Sequence, residues 1–174
     1  MEAVLSNTMA FQNRTFEGVR TLIRVDFNVP MTQPGEDGSR EVTDDTRIRA
    51  ALPTIQHVLD TGGSVVLMSH LGRPKGRDAA LSLRHIMSTL EAHLGRSVAF
   101  APDCVGDEAL EVTQSLAAGQ VALLENLRFH GEEKAGDEFF AGQLAENGDF
   151  YINDAFGTAH RAHASTAVSY THLR

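Results

Sequence analysis

Short runs of unbroken apolar character, separated by stretches of helical periodicity, limit what this chain can fold into. Ser64-Val65-Val66-Leu67-Met68-Ser69 shows no alternation of apolar and polar residues. A strand of that kind hides both faces, which happens where helices cover a parallel sheet on both sides. Further strands are expected at Val19–Asp26, where arginines interrupt the apolar residues, and at Ser97–Phe100, Gln120–Leu124 and Phe150–Asn153. Ile48, Leu52, Ile55, Val58 and Leu59 form a stripe spaced for one face of a helix beginning near Arg47. Thr43-Asp44-Asp45-Thr46 offers its N-cap and Gly62-Gly63 its end. Pro53 lies within the stripe and predicts a kink, or a restart with proline in the first turn. Leu83, Ile86, Met87, Leu90 and Leu94 make a second stripe, stopped by Gly95. Further helices are expected from Asp107 to about Ala118 and over Asp137–Glu146, the latter closed near Gly148. Residues 1–18 read as a lead-in and residues 32–41 as an exposed loop. The alternation predicts an α/β fold of Rossmann-like kind: a parallel sheet with helices on both faces, in three α/β/α layers.

Right-handed crossovers bring the carboxyl ends of all the strands to one edge. What the sequence delivers there is uneven in charge. Asp26 and Asn28 end the first strand, two residues apart and so on the same side of an extended chain. His70 and Arg73 follow the second strand, Arg128 the fourth, and His160, Arg161 and His163 the fifth. Arg47 joins them if the start of the first crossover helix faces the same crevice. Arginines and histidines that converge at strand ends and helix N-termini make an anion site. Each has a plainer reading: Asp26 and Asn28 can close their own loop, and Arg47 can pair with Asp44 or Asp45 on a solvated first turn.

Composition removes other classes. A net charge of −8 opposes general nucleic-acid binding, which needs a basic surface. No apolar run approaches the ~18 residues of a membrane span. The start lacks a secretion signal, and the single cysteine, Cys104, excludes an internal disulfide and fits a reducing cytoplasm. Nothing in the sequence near Cys104 would activate it as a nucleophile. The basic residues are thirteen arginines and two lysines, Lys75 and Lys134. Arginine grips phosphate or carboxylate with two parallel donors, so its placement matters here. His70, His130, His160 and His163 with Asp154 raise zinc as a rival, but no His-Glu-x-x-His or paired-cysteine spacing supports it. Neither G-x-x-x-x-G-K-[ST] nor a post-strand G-x-G-x-x-G is present. In Gly72-Arg73-Pro74-Lys75-Gly76, Pro74 removes an amide that a phosphate cradle would use.

Five segments, in order, resemble the phosphoglycerate kinase family. They are Val25-Asp26-Phe27-Asn28-Val29-Pro30; Asp45-Thr46-Arg47-Ile48 with Ala51-Leu52-Pro53-Thr54-Ile55; Ser69-His70-Leu71-Gly72-Arg73-Pro74; Leu124-Glu125-Asn126-Leu127-Arg128-Phe129; and Asn153 to His163. The likeness covers about Val19 to Thr166. It implies the amino-terminal, substrate-binding domain (residues 1–166) of a kinase that moves a phosphoryl group between 1,3-bisphosphoglycerate and ADP. The family uses Mg2+ with ADP/ATP held by a carboxyl-terminal domain that lies outside these residues, so this stretch is expected to bind no cofactor and to lack turnover. Residues 167–174 are expected to depart from the family, with a further strand missing after them. By motif match, Asp26 and Asn28 would hold the glycerate hydroxyl and carboxyl end. His70, Arg73, Arg128 and Arg161 would hold the stable 3-phosphate, with Leu71, Gly72 and His160 lining the site. Arg47 would face the migrating phosphoryl group. The resemblance further implies a cytoplasmic enzyme, monomeric when complete, with no nucleic-acid or membrane partner. The alternative from a different class is a stand-alone phosphoanion-binding module that performs no transfer.

Overall fold

The computed structural model describes residues 11–155 and 163–171. Strand β1 (Arg20–Arg24) leads to helix α1 (Thr46–Asp60) and β2 (Ser64–Met68). Two 3-10 turns, Ala79–Leu81 and Leu83–Ile86, precede α2 (Met87–Leu94) and β3 (Val98–Ala101). Helix α3 (Asp107–Thr113) and β4 (Val121–Leu124) follow, then a 3-10 turn at Leu127–Phe129 and α4 (Gly131–Ala135). The order closes with α5 (Glu138–Ala145), β5 (Phe150–Asn153) and α6 (Ala164–Thr171). The five strands are parallel and lie side by side as β3-β4-β2-β1-β5.

Alternate strand residues enter opposite helical layers. Ile23, Val65, Leu67 and Leu123 meet Ile48, Ile55, Val58 and Leu90 from α1 and α2 on one face. Leu22, Val66, Met68 and Leu124 meet Ala109, Phe140, Leu144 and Val168 from α3, α5 and α6 on the other. Each such aliphatic side chain contributes about 1.5–3 kcal/mol relative to exposure. Burial on both faces is the physical reason β2 and β4 carry almost no polar residues, and the three-layer expectation holds.

Several boundaries differ from the sequence reading. Helix α1 passes through Pro53 as one element and does not restart there. Pro53 and Arg49 are both exposed, so the Arg49 carbonyl that loses its usual amide partner is within reach of water. The second stripe begins as 3-10 turn and becomes α-helix only at Met87. It ends where Gly95 takes a left-handed φ of 66° and returns its amide to Glu91 O at 2.9 Å. Helix α3 stops at Thr113, short of Ala118, in a turn closed by Leu116 N on Thr113 O and Ala117 N on the Gln120 side chain. The expected lead-in places Phe11 and Phe16 in the core. Helices α4 and α6 were not foreseen, and the 166/167 boundary falls inside α6.

Candidate functional site

The pairing registers fix where the strand ends meet. Arg24 is level with Met68 of β2 and Asn153 of β5, so the residues beyond them leave the sheet together. The chain after β1 and β2 turns into one helical layer, and the chain after β3, β4 and β5 into the other. The layers therefore part between β2 and β4 and again between β1 and β5. Such divergence beyond carboxyl ends opens the ligand crevice of α/β sheets.

Asp26 and Asn28 emerge there from β1. Asp26 Oδ1 accepts the Asn28 amide at 3.1 Å, so the plainer turn-closing reading is also correct. Arg47 of α1 donates to that Asp26 oxygen at 3.4 Å and to the Asn28 carbonyl. It does not pair with the acidic residues beside it. Asp44 accepts the amide and hydroxyl of Thr46, while Asp45 takes Arg49 at 2.9 Å and His93 at 2.7 Å. Those hydrogen bonds hold both carboxyl groups below the usual carboxylate range. Arg47 is thereby turned across the strand end while remaining half exposed.

Asn28 reaches the next loop, its Oδ1 accepting the Gly72 amide at 2.9 Å. Gly72 sits at a φ of 64°, and a Cβ there would come within 2.9 Å of Leu81. Its carbonyl accepts Arg128 at 3.1 Å. Ser69, at the end of β2, accepts the Phe27 amide and donates to the His70 carbonyl, both at 2.9 Å. Asn126, almost fully buried, joins the loops after β2 and β4. It pairs with Leu71 N at 3.2 Å and Leu71 O at 2.8 Å, and also engages Leu81 O and Arg128 N. One hydrogen-bonded chain thus connects Asp26, Asn28, Arg47, Gly72 and Arg128. Leu71 keeps its side chain in the core and both backbone groups on Asn126, so its part in the site is through the backbone. His70 is buried and meets Arg24, its Nδ1 lying 2.9 Å from a terminal guanidinium nitrogen. Arg73 is exposed, with no hydrogen bond or ion pair among the described residues. His163 is buried at the start of α6, where its carbonyl accepts Thr166 N and Ala167 N. His160 and Arg161 lie outside the described residues.

Arg47 on Asp26 and Arg128 on the Gly72 carbonyl set two guanidinium groups on one hydrogen-bonded network, an arrangement suited to an anion with several oxygens. Asp26 is engaged by Arg47 and the Asn28 amide, which leaves it poorly disposed toward a divalent cation. Zinc fares no better. Asp103, Cys104 and His130 bring donor atoms within 4.8 Å of one another, yet His130 already bonds Asp103 at 2.7 Å. Burial pushes the Cys104 thiol well up, against the thiolate a metal or a nucleophile requires. The sequence did not single out Ser69, Asn126 or Arg24 for supporting roles. Their one visible signal is a polar residue set directly within or beside an apolar run. No helix of the described residues is long and apolar enough to cross a membrane.

Comparison with known proteins identifies the family. The family model described as phosphoglycerate kinase matches residues 11–173. The chain is 57% identical over 153 residues to the phosphoglycerate kinase of Chloroherpeton thalassium, covering 87% of this chain and 37% of that one. It is 51% identical over 149 residues to that of Aquifex aeolicus, covering 86% and 36%. Among solved structures, phosphoglycerate kinase from Pyrococcus horikoshii OT3 superposes with a TM-score of 0.78 at 32% identity, covering 90% of this chain and 39% of that one. The enzyme from Coxiella burnetii gives 0.78 at 34% identity, covering 92% and 38%. The chain spans little more than a third of the length of these relatives. A family match over nearly all of its residues, on a five-stranded parallel sheet, places the chain in the phosphoglycerate kinase family.

Proposed function

We propose that this chain forms the 3-phosphoglycerate site of a phosphoglycerate kinase, the glycolytic enzyme that transfers a phosphoryl group between 1,3-bisphosphoglycerate and ADP to give 3-phosphoglycerate and ATP. The observation that carries this reading is the hydrogen-bonded chain from Asp26 and Arg47 through Asn28 and Gly72 to Arg128 at one edge of the sheet. In it, Asp26 and Asn28 hold the glycerate hydroxyl and carboxyl end. His70, Arg73, Arg128 and Arg161 hold the 3-phosphate, His160 lines the pocket, and the Leu71–Gly72 backbone sets its floor. Arg47 stabilises the phosphoryl group in transit. That division suits phosphoryl transfer, which asks for positioning and charge stabilisation rather than covalent help.

The whole reaction needs a nucleotide with Mg2+, and no phosphate-cradling loop occurs in this sequence. Residues 1–166 are therefore read as the substrate domain. A carboxyl-terminal domain of the same polypeptide supplies the nucleotide and closes over the reaction to exclude water. These 174 residues alone bind substrate without turnover. The complete enzyme is read as a cytoplasmic monomer. Calorimetric titration with 3-phosphoglycerate tests the proposal: weak saturable binding that fades as salt rises supports it. Heat no larger than for the same concentration of sulfate contradicts it.

A further inference from the structure

Arg24 has no part in the proposed substrate contacts, yet it is the largest of the fully buried side chains. It leaves β1 toward the layer of α4 and α6, among Leu22, Val66 and Met68. A guanidinium cannot be deprotonated there and needs a partner for each donor it buries. Burial pushes its pKa down, opposed by the negative charge of Glu133. Its Nε donates to Ser165 Oγ at 3.1 Å, and one terminal nitrogen donates to the Val25 carbonyl. The other terminal nitrogen lies 2.9 Å from His70 Nδ1. Ser165 in turn donates its hydroxyl to Glu133 Oε2 at 2.6 Å and its amide to Oε1 at 2.7 Å. Glu133 is itself fully buried.

The chemistry of these groups fixes every direction in the chain. A guanidinium has donors and no acceptor, so His70 Nδ1 must accept. An imidazole that accepts at one nitrogen and is neutral carries its hydrogen on the other. Ser165 Oγ accepts from Arg24, and its own hydrogen goes to Glu133. The hydrogen bonds therefore run outward from Arg24, through Ser165 to Glu133 on one side and to His70 on the other.

We propose that Arg24 is a positioning residue for His70: held by Glu133 through Ser165, it fixes the imidazole as the neutral Nε2–H tautomer, so that His70 serves the site as a hydrogen-bond donor rather than as a cation. Glu133 and Ser165 come from α4 and α6, neither of which contributes a residue to the proposed substrate contacts. That the donor meets a phosphate rests on the function proposed above; the tautomer does not.

Long-range proton–nitrogen NMR spectra of the histidine rings read the tautomer directly. At pH 7 the 174-residue chain should show His70 with a pyridine-like Nδ1 and a pyrrole-like Nε2. Ser165→Ala removes one anchor of Arg24 and should shift the His70 Nδ1 resonance. It should also weaken 3-phosphoglycerate about tenfold, the magnitude of one displaced hydrogen bond. Arg24→Met removes the donor and should abolish the single-tautomer pattern. Should that variant fail to fold, the wild-type tautomer and Ser165→Ala decide the matter. An Nδ1–H tautomer or an imidazolium in the wild type overturns the proposal, as do His70 nitrogen shifts unmoved by Ser165→Ala. A wild-type chain with the Nε2–H pattern that binds no 3-phosphoglycerate would leave this inference standing and remove the functional reading.

Discussion

Asn126 pairs with the backbone of Leu71 in both directions, accepting its amide at 3.2 Å and donating to its carbonyl at 2.8 Å. The two residues follow different strands whose chains diverge into opposite helical layers. The pair therefore clamps the crevice at the point where the fold opens it. Replacing Asn126 with Ala leaves the carbonyls of Leu71 and Leu81 and the amides of Leu71 and Arg128 without their partner. A cost of about 2–4 kcal/mol is expected. Denaturant unfolding should show the midpoint falling with an unchanged slope, and substrate affinity should fall with it.

Arg47 and Arg73 should separate kinetically in a complete enzyme carrying this sequence. Arg47 is steered across the strand end by Asp26 and the Asn28 carbonyl, whereas Arg73 is exposed at the loop. A planar fork contacts two phosphoryl oxygens together, which an ammonium does less well. Arg47→Lys is expected to lower turnover about 10²–10³-fold with little change in 3-phosphoglycerate affinity. Arg73→Lys should act mainly on affinity. Paired steady-state kinetics decide; a change confined to KM in Arg47→Lys makes Arg47 a binding residue instead.

Asp154 follows β5, where burial pushes its carboxyl up to about 6, opposed by a hydrogen bond with Thr54. The folded state thus keeps this proton at pH values where the unfolded chain has lost it. Its favourable contribution is complete below the unfolded value of 3.8 and is lost as pH rises through about 6. Asp154→Asn imitates the protonated form. It should raise the melting temperature at pH 7.5, by an amount equivalent to ~1 kcal/mol after allowance for partial exposure, and change it little at pH 4. Equal effects at both pH values would remove the carboxyl's charge as the cause.

His130 and Asp103, 2.7 Å apart, tie the turn after β4 to the loop after β3. The Asp103 hydrogen bond raises the pKa of His130 despite partial burial. Burial works to raise Asp103, but His130 and the Cys104 amide outweigh it and hold that carboxyl low. The pair's stabilisation is therefore lost on two sides: as pH falls through the depressed Asp103 value, and as pH rises through the elevated His130 value. His130→Gln should destabilise most near pH 5–6, between the two groups' ordinary values, and progressively less as pH rises through the elevated His130 value, measured by thermal melts across that range.

Much of this was legible in the chain itself. Strands such as Ser64–Met68 declare themselves because burial on both faces leaves a continuous apolar run. Asp26, Asn28 and Arg128 could be placed on one edge because parallel crossovers leave the ends of their strands no other. The supports of the site were not legible. Arg24 and Ser165 are 141 positions apart, and Glu133 and Ser165 are 32 apart, so no local periodicity announces their contact. Helix α6 carries Ser, Thr and Val, which are indifferent helix formers. It is held by the burial of Ala164 and Val168, one turn apart, against the layer of α5. Helix α4 is five residues long, too short to show a stripe. Spacing alone did not decide between the kink and the restart expected at Pro53, and the helix runs through that residue as one element.

The most direct test of the substrate site is an amide NMR titration of the 174-residue chain with 3-phosphoglycerate. The expected result is a set of saturable shifts confined to the amides of Asp26–Asn28, His70–Arg73, Arg128 and Arg161, that weaken as salt is raised. Shifts confined to the opposite edge, near Val19, Gly63 and Gly119, would contradict the assignment of these residues to substrate.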